Sequence, residues 1–410
     1  MQQGLICCER SAKANLVRYS EIDVLRRAGA PKTLMQLSGG RLAMERKLLS
    51  LAAAIAFAMV KASSAGAEIL IGMAGALTGP NAYQGEQQQQ GVELAIGDIN
   101  AAGGVLGQKL RLISVDDACD SGQATAAAHK LVAEKVSFVV GHQCSGASIP
   151  AAGIYERAGI IQMTPASTSP RLTEEGRSNV FRICGRDDQQ GAIAGAYLAA
   201  QGQDIRIAIL SDGSIYGKGL TEETQRHLRN NGGVETLYDE LDPGLSDFSS
   251  LVAKLQAAGI HVAYFAGYYR EAAILIRNAR EQGYNLQLVS GDSIASEAFI
   301  QVTGEAGEGT VFTSFRDPRR TPGAASLVER FRQKGFEPEG YTLYSYGAVQ
   351  AWAQAVAKAG SIESQAVISA LRSNEFETIL GRISFDAKGD VRQPGFEWFI
   401  WRSGHYVPLE

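Results

Sequence analysis

The 410 residues are 45% hydrophobic and 20% charged, an ordinary globular composition with enough chain for two domains that each have a core. The formal net charge of −4 is close to neutral for this length, so neither nucleic acid nor an anionic membrane is indicated as a partner. The function must therefore be sought in the motifs along the chain.

Residues 44–67 have the three parts of a secretory signal peptide. A charged segment precedes the apolar run Leu48–Val60, and Ala65–Ala67 is a small-residue cleavage site. The apolar run of 13 residues is too short to span a bilayer, which disfavours the alternative of a signal anchor. We expect a mature chain that begins at Glu68 in an oxidising compartment, with residues 1–43 as an upstream extension outside the fold.

From Glu68 the pattern alternates between short apolar strands and helices. The glutamine run Gln87–Gln90 is expected on a solvated helix face. Consecutive strand–helix units predict a parallel sheet with right-handed crossovers. The predicted elements of this first set are strands at 69–73, 110–115, 136–140, 159–163 and 180–184 and helices at 91–99, at 123–134 and after residue 145.

The alternation then begins again, and this repetition predicts an α/β protein with two similar lobes, each a parallel-rich sheet flanked by helices. The C-terminal part is mainly helical and ends in short strands. The predicted elements are strands at 205–210, 234–238, 261–266, 286–289 and 310–314, helices that begin near 216, 247 and 269, helices at 326–334, 344–359 and 362–372, and strands at 383–385 and 396–401.

The turn Gly141–Ser148 lies where the third strand gives way to a helix. Ser145 is expected to cap this helix, whose free N–H groups attract an anion. In open α/β sheets, ligands bind beyond the carboxyl ends of the strands, where this turn lies. The alternative for this turn is a capped helix without a ligand.

Several kinds of chemistry find no support in the sequence. Gly213–Gly219 is one residue short of a phosphate loop and lacks the hydroxyl residue after Lys218. No dinucleotide fingerprint follows the first strand, no G-x-S-x-G elbow is present, and the five histidines have no ligand spacing. We therefore predict no catalytic residues, no metal and no cofactor.

Four segments taken together resemble the periplasmic leucine/isoleucine/valine-binding proteins, the type I receptors of ABC importers. The resemblance covers nearly all of residues 68–410 and includes Tyr216-Gly217 and 265–268. The four segments are Asp116-Asp117-Ala118-Cys119-Asp120, Gly141-His142-Gln143-Cys144-Ser145, Thr164-Pro165-Ala166-Ser167-Thr168 and Gly185-Arg186-Asp187-Asp188-Gln189-Gln190-Gly191.

The resemblance implies a ligand site between two lobes. Ser145 matches the residue that binds the α-carboxylate of an amino acid, and Ala166 and Thr168 match positions that hold its backbone. In the second lobe, Tyr216 and Tyr268 match aromatic residues over the ligand. Asp292 matches a carboxylate, usually Glu, that pairs with the ammonium. A zwitterion removed from water needs donors at one end and a negative charge at the other, so this assignment is chemically sensible.

Two departures from the family pattern bear on the substrate. Gln84 stands where leucine-binding members carry an aromatic residue, with Tyr83 one place early, and Gln143 replaces an apolar residue near the side-chain pocket. Both changes add polarity, and these three residues are possible pocket residues. Relatives in the family also bind amides, urea, polyols and aromatic acids.

A disulfide is predicted between Cys119 and Cys144, with Cys184 reduced. Both cysteines follow neighbouring parallel strands in the predicted sheet, which brings their loops to one edge within bridging distance. The lobes are predicted at 68–187 plus 317–394 and at 188–316 plus 395–410, with three crossings that permit hinge closure.

The sequence thus predicts a monomeric periplasmic receptor that binds a branched-chain or related amino acid and delivers it to the membrane permease subunits of an ABC importer. One alternative is a sensor of the same fold for an amide or another small polar solute. A second is a secreted α/β enzyme, which the lack of a nucleophile–base or metal constellation disfavours.

Overall fold

The computed structural model describes residues 68–410, so the predicted upstream extension and signal peptide lie outside the described residues. Within that range, no helix is both long enough and apolar enough to cross a membrane.

The first sheet has five parallel strands in the order β2-β1-β3-β4-β5. Strand β3 is buried along its whole length because helices cover both faces of a parallel sheet, which explains its continuous apolar sequence. The elements of this part are β1 (Ile69–Gly75), α1 (Ala82–Ala101), β2 (Leu110–Asp116), α2 (Ser121–Ala133), β3 (Phe138–Gly141), α3 (Ser145–Arg157), β4 (Ile161–Thr164), α4 (Arg171–Glu174) and β5 (Val180–Arg182).

The second sheet has seven strands in the order β14-β13-β10-β9-β8-β6-β7. Its five strands from β10 to β7 are parallel to one another, as predicted. The elements that lead to β10 are α5 (Asp187–Ala199), β6 (Ile207–Ser211), α6 (Ile215–Asn230), β7 (Leu237–Glu240), α7 (Ser249–Ala257), β8 (Val262–Ala266), α8 (Tyr269–Glu281), β9 (Gln287–Ser290), a 3-10 turn (Asp292–Ile294), α9 (Glu297–Thr303), a second 3-10 turn (Gly304–Gly307) and β10 (Val311–Phe315).

After β10 the chain returns to the first sheet and then goes back to the second. The Trp352 ring stacks on the Phe138 ring of β3 with centroids 5.0 Å apart, within one hydrophobic core. Strands β13 and β14 then extend the second sheet, β13 antiparallel to β10. These elements are two 3-10 turns (Pro318–Arg320 and Pro322–Ala324), α10 (Ala325–Gln333), α11 (Thr342–Ala359), α12 (Ser364–Ser373), β11 (Phe376–Thr378), β12 (Gly381–Ile383), β13 (Phe396–Arg402) and β14 (His405–Pro408).

The architecture is the predicted one, an α/β fold with two lobes. We call lobe 1 the five-stranded sheet with the helices packed on it, including α11, and lobe 2 the seven-stranded sheet with its helices. The residues at which each lobe begins and ends stay a prediction.

Helix α1 differs from the prediction in its start and in its buried face. It begins at Ala82, and Gln87 and Gln88 are fully buried rather than solvated. The Gln88 side-chain amide donates to the Ala74 and Val140 carbonyls at 3.1 and 3.0 Å. The expectation of a solvated face was wrong for Gln87 and Gln88 because this face of α1 is packed inside the lobe.

Helix α5 was not predicted, because its small residues give little apolar periodicity. At Gly195 an added Cβ would lie 2.5 Å from the Leu228 backbone nitrogen. The small residue therefore lets α5 and α6 pack closely, an arrangement that periodicity does not reveal.

The predicted disulfide is confirmed, but the stated reason for it needs correction. Cys119 and Cys144 are bonded, with Cα atoms 5.5 Å apart, and Cys184 is a buried free thiol. Strands β2 and β3 are not neighbours, since β1 lies between them. The loops after β2 and β3 therefore meet across the end of β1.

Candidate functional site: a cavity between the lobes

A small cavity lies at the carboxyl ends of strands from both sheets. Lobe 1 contributes the turns after β3 and β4, and lobe 2 contributes residues after β6, β8 and β9. All six predicted ligand-binding residues line it. The lining residues are Gln143, Ser145, Ala166, Thr168, Tyr216, Tyr268, Asp292 and Tyr341.

Ser145 is the first residue of helix α3 rather than its cap. The cap position is Cys144, which makes no side-chain capping bond, and this corrects the prediction for Ser145. The Ser145 hydroxyl instead accepts a hydrogen bond from the Ser169 backbone N–H at 3.2 Å. It therefore lies at the positive end of the helix while linking the turn after β3 to the turn after β4.

The His142 carbonyl holds these two turns together. It accepts hydrogen bonds from the hydroxyls of Ser148, Thr164 and Ser167 at 3.0, 2.8 and 3.1 Å. All four residues are buried, so these bonds are shielded from water. The lobe 1 wall is thus rigidly positioned by its own backbone.

The His142 ring is also fixed from both sides. Its Nδ1 lies 2.6 Å from an Asp117 carboxylate oxygen, and its Nε2 lies 3.0 Å from the Tyr155 hydroxyl. None of the three lines the cavity. We therefore assign this buried histidine a structural role.

Buried Arg182 also stabilises the lobe 1 wall, by contacts with the turn after β4. Its guanidinium donates to the Ser167 and Ser169 carbonyls at 3.1 and 2.7 Å and pairs with Asp390 at 2.7 Å. Through this ion pair Asp390, which lies more than 200 positions after Arg182 in the chain, helps to hold the turn after β4. Sequence reasoning missed both residues because nothing local marks them.

The lobe 2 wall carries the charge. Asp292 opens the 3-10 turn after β9, and its two carboxylate oxygens accept from the Tyr216 and Tyr341 hydroxyls at 3.0 and 2.9 Å. Burial raises the pKa of Asp292, and the two phenols oppose that shift. The carboxylate therefore has neutral donors but no basic partner among the residues that bond to it here.

The two predicted aromatic residues of lobe 2 lie together. The Tyr216 and Tyr268 rings have centroids 5.5 Å apart. The Asp212 carboxylate accepts from the backbone N–H groups of Tyr268 and Ser214 at 3.0 and 2.9 Å, which fixes the turns after β8 and β6. Asp212 is thus a positioning residue that the sequence analysis did not identify.

Tyr341 is the one lining residue that sequence reasoning missed. It directly precedes α11, which packs on lobe 1, yet its hydroxyl reaches Asp292 of lobe 2. Three tyrosines, at 341, 344 and 346, open this helical pattern, and that aromatic cluster was the available signal.

The three possible pocket residues have different positions. Gln143 lines the cavity, and its side-chain NH₂ group donates to the Gln84 side-chain oxygen Oε1 at 2.8 Å. Gln84 lies behind it and donates to the Ser293 carbonyl at 2.7 Å. Tyr83 does not line the cavity, which corrects that expectation, because successive helical residues diverge and its hydroxyl donates to Glu339 at 3.2 Å.

Asp187 is a buried carboxyl group beside the site. Its backbone N–H donates to the Thr168 carbonyl at 2.9 Å. Burial raises the pKa of Asp187 to about 8, while the nearby Thr168 hydroxyl lowers it and Asp292 raises it further. Among residues 68–410, no three His, Cys, Asp or Glu side chains are grouped to hold a metal ion.

The fold and this cleft define a two-lobed binding protein, and the chain belongs to the periplasmic binding protein family, whose family model matches residues 68–400. A Leu/Ile/Val-binding protein homologue of Brucella suis is 44% identical over 88% of this chain and 97% of that relative. An amino acid binding protein of Pseudomonas aeruginosa is 42% identical, over 87% of this chain and 97% of the relative.

Among solved structures, the branched-chain amino acid transporter substrate binding protein of Streptococcus pneumoniae, in complex with isoleucine, is similar with a TM-score of 0.76. It is 26% identical, and the match covers 84% of this chain and all of that chain. The family resemblance drawn from the four sequence segments is confirmed.

Proposed function

We propose that this protein is a periplasmic receptor that binds an α-amino acid in the cavity and delivers it to the permease of an ABC importer. The observation that carries the proposal is the division of the cavity walls. Lobe 1 offers a helix N-terminus and hydroxyls, and lobe 2 offers the buried carboxylate of Asp292. This pairing is complementary to the two ends of a zwitterion.

In this assignment, Ser145 and the N-terminus of α3 hold the α-carboxylate, and Ala166 and Thr168 hold the ligand backbone. Asp292 takes the ammonium, and Tyr216 and Tyr268 cover the ligand. The opposite charge of the ammonium offsets the desolvation of Asp292 and keeps it ionised. The names of the relatives, which refer to leucine, isoleucine, valine or amino acids in general, support an amino acid ligand.

The receptor acts as a monomer without turnover, and its lobes close on the ligand. Closure follows from a ligand that contacts both lobes and binds the closed form more tightly. Crossings near residues 187, 316 and 394 would serve as the hinge.

The test is a thermal-shift screen of amino acids and small amides on the purified protein, followed by calorimetry. A ligand at 100 times its dissociation constant should add about 2.7 kcal/mol of stability. Small-angle scattering should show a smaller radius of gyration with ligand, and the recovered ligand should be chemically unchanged. A screen in which no amino acid binds contradicts the receptor proposal, and an unchanged radius with bound ligand contradicts closure.

A further inference from the structure

Two buried glutamines form a hydrogen-bonded chain from lobe 2 to the cavity. Gln84 donates through Nε2 to the Ser293 carbonyl at 2.7 Å, and Gln143 donates through Nε2 to Gln84 Oε1 at 2.8 Å. Gln84 is 1% exposed and Gln143 is 3% exposed. The chain ends at Gln143 Oε1, which has no hydrogen-bond partner among the described residues.

The direction of this chain is set at its far end. A backbone carbonyl only accepts hydrogen bonds, so Gln84 must turn its NH₂ group toward Ser293. Its oxygen then faces Gln143, which must turn its own NH₂ group toward Gln84. The free end of the chain is therefore an acceptor oxygen, on a residue that lines the cavity.

The rest of the lining does not suit an aliphatic side chain. Ala166 is the only aliphatic side chain among the eight lining residues, and the other nonpolar surface belongs to tyrosine rings. Apart from Asp292, the lining groups are neutral, so a charged ligand side chain would lack a counter-charge in a buried site. A neutral hydrogen-bond donor on the ligand side chain would supply the partner that Gln143 Oε1 lacks.

We propose that Gln143 selects amino acids whose side chain carries a neutral hydrogen-bond donor, a hydroxyl or a carboxamide, over aliphatic amino acids of the same shape. This inference rests on the proposed function and names its substrate class. An aliphatic ligand leaves Gln143 Oε1 buried and unpaired, and a site built around a hydrogen bond discriminates strongly against the analogue that lacks it.

Two pairs of nearly isosteric amino acids test the proposal with the unaltered protein. L-threonine differs from L-valine by a hydroxyl in place of a methyl, and L-asparagine differs from L-leucine by a carboxamide in place of an isopropyl group. Calorimetry should show the donor-bearing member of at least one pair binding roughly 5- to 150-fold more tightly, the range expected for one unpaired buried acceptor. The pair that discriminates identifies the donor as hydroxyl or carboxamide.

Gln143→Leu should abolish or reverse this preference. Gln84→Leu should weaken the preference, because Gln143 then loses the contact that sets its orientation. Gln162→Leu is the matched control: Gln162 is equally buried with an unpaired Oε1 among the described residues, but it does not line the cavity. The Gln162 variant should keep the parent's preference.

The outcomes separate this inference from the proposed function. If valine and leucine bind as tightly as threonine and asparagine, donor selection is overturned while the receptor function stands. The same holds if Gln143→Leu keeps the parent's ratio. If no amino acid binds, both proposals fall. The isosteric comparison on the parent decides the question even where a variant does not fold.

Discussion

The two walls of the cavity are built from the same kind of element, a turn beyond a parallel strand, but they differ in chemistry. The lobe 1 wall is neutral, and its hydroxyls and backbone groups are tied to one another through the His142 carbonyl. The lobe 2 wall presents the carboxylate of Asp292 between two phenols. Each wall suits one end of an amino acid, so neither lobe alone satisfies the ligand.

The walls also differ in how they are held. A disulfide ties the lobe 1 turn that carries Ser145 to the loop after β2. Among residues 68–410, lobe 2 has no such bond, and its turns are ordered by backbone N–H groups that donate to the Asp212 carboxylate. The difference suggests a preformed lobe 1 wall on which ligand docks first, followed by lobe 2. The following experiments test this contrast.

The largest effect is expected from Asp292→Ala, which removes the one charged side chain among the eight residues that line the cavity. The ligand ammonium would then be buried without a partner, at a cost of about 2–5 kcal/mol, or roughly 30- to several thousand-fold in affinity. Calorimetry with the identified ligand measures this. The variant should also fail to contract in small-angle scattering. An affinity within about threefold of the parent would show that Asp292 does not hold the ammonium.

Removing the disulfide tests the preformed wall. The double substitution Cys119→Ser with Cys144→Ser should lower the free energy of unfolding by about 3–4 kcal/mol, because the bond closes a loop with a sequence separation of 25 residues. Denaturant unfolding measures the loss. Thiol titration of the denatured, unreduced chain from Glu68 should find one free thiol, and three free thiols would rule out the disulfide.

Ser145→Ala tests the neutral wall. Losing one hydrogen bond to the charged carboxylate should cost about 1.5–3 kcal/mol, roughly 10- to 150-fold in affinity. Ser148→Ala is the matched control, since its hydroxyl bonds to the His142 carbonyl and does not line the cavity. The control should change stability more than affinity. Equal affinity losses in the two variants would mean that Ser145 acts only through the fold.

The smallest effect concerns pH and the buried Asp187. Its pKa of about 8 lies above the ordinary value near 3.9, so the folded state holds the proton more tightly than the unfolded state. The contribution of this bound proton to the free energy of unfolding is fully present below about pH 4 and is lost as the pH rises through 8. Asp187→Asn should therefore raise Tm at pH 8 relative to the parent by about 2 °C or more, with little gain near pH 4.

Asp188→Asn is the control for that measurement, because Asp188 is only partly buried on the same helical turn. Scanning calorimetry at several pH values compares the three proteins. A parent and an Asp187→Asn variant with parallel Tm profiles would show that Asp187 is not a buried proton-holding group.

The positions of many site residues could be predicted from where the strands end in the sequence. Tyr268 and Asp292 each lie two residues after the end of a short strand, and the carboxyl ends of parallel strands meet at one edge of a sheet. The repeat of the strand–helix pattern likewise implied two lobes. The resemblance to a family then assigned roles that position alone does not supply.

Burial and long-range contacts depended on packing and could not be predicted in the same way. Gln87 and Gln88 look solvent-exposed in the sequence and are buried in α1. The loops of Cys119 and Cys144 meet across a strand whose place in the sheet order was not evident.

The sequence by itself determined the alternation of strands and helices, and with it the edge of each sheet at which ligand-binding side chains gather, because periodicity and chain order are local properties. Only the tertiary structure brought Tyr341 to Asp292 and Gln143 to Gln84. Those contacts join residues 49 and 59 positions apart. They exist because segments distant in sequence, from one lobe or from both, meet at the ends of the sheets, which a local pattern does not record.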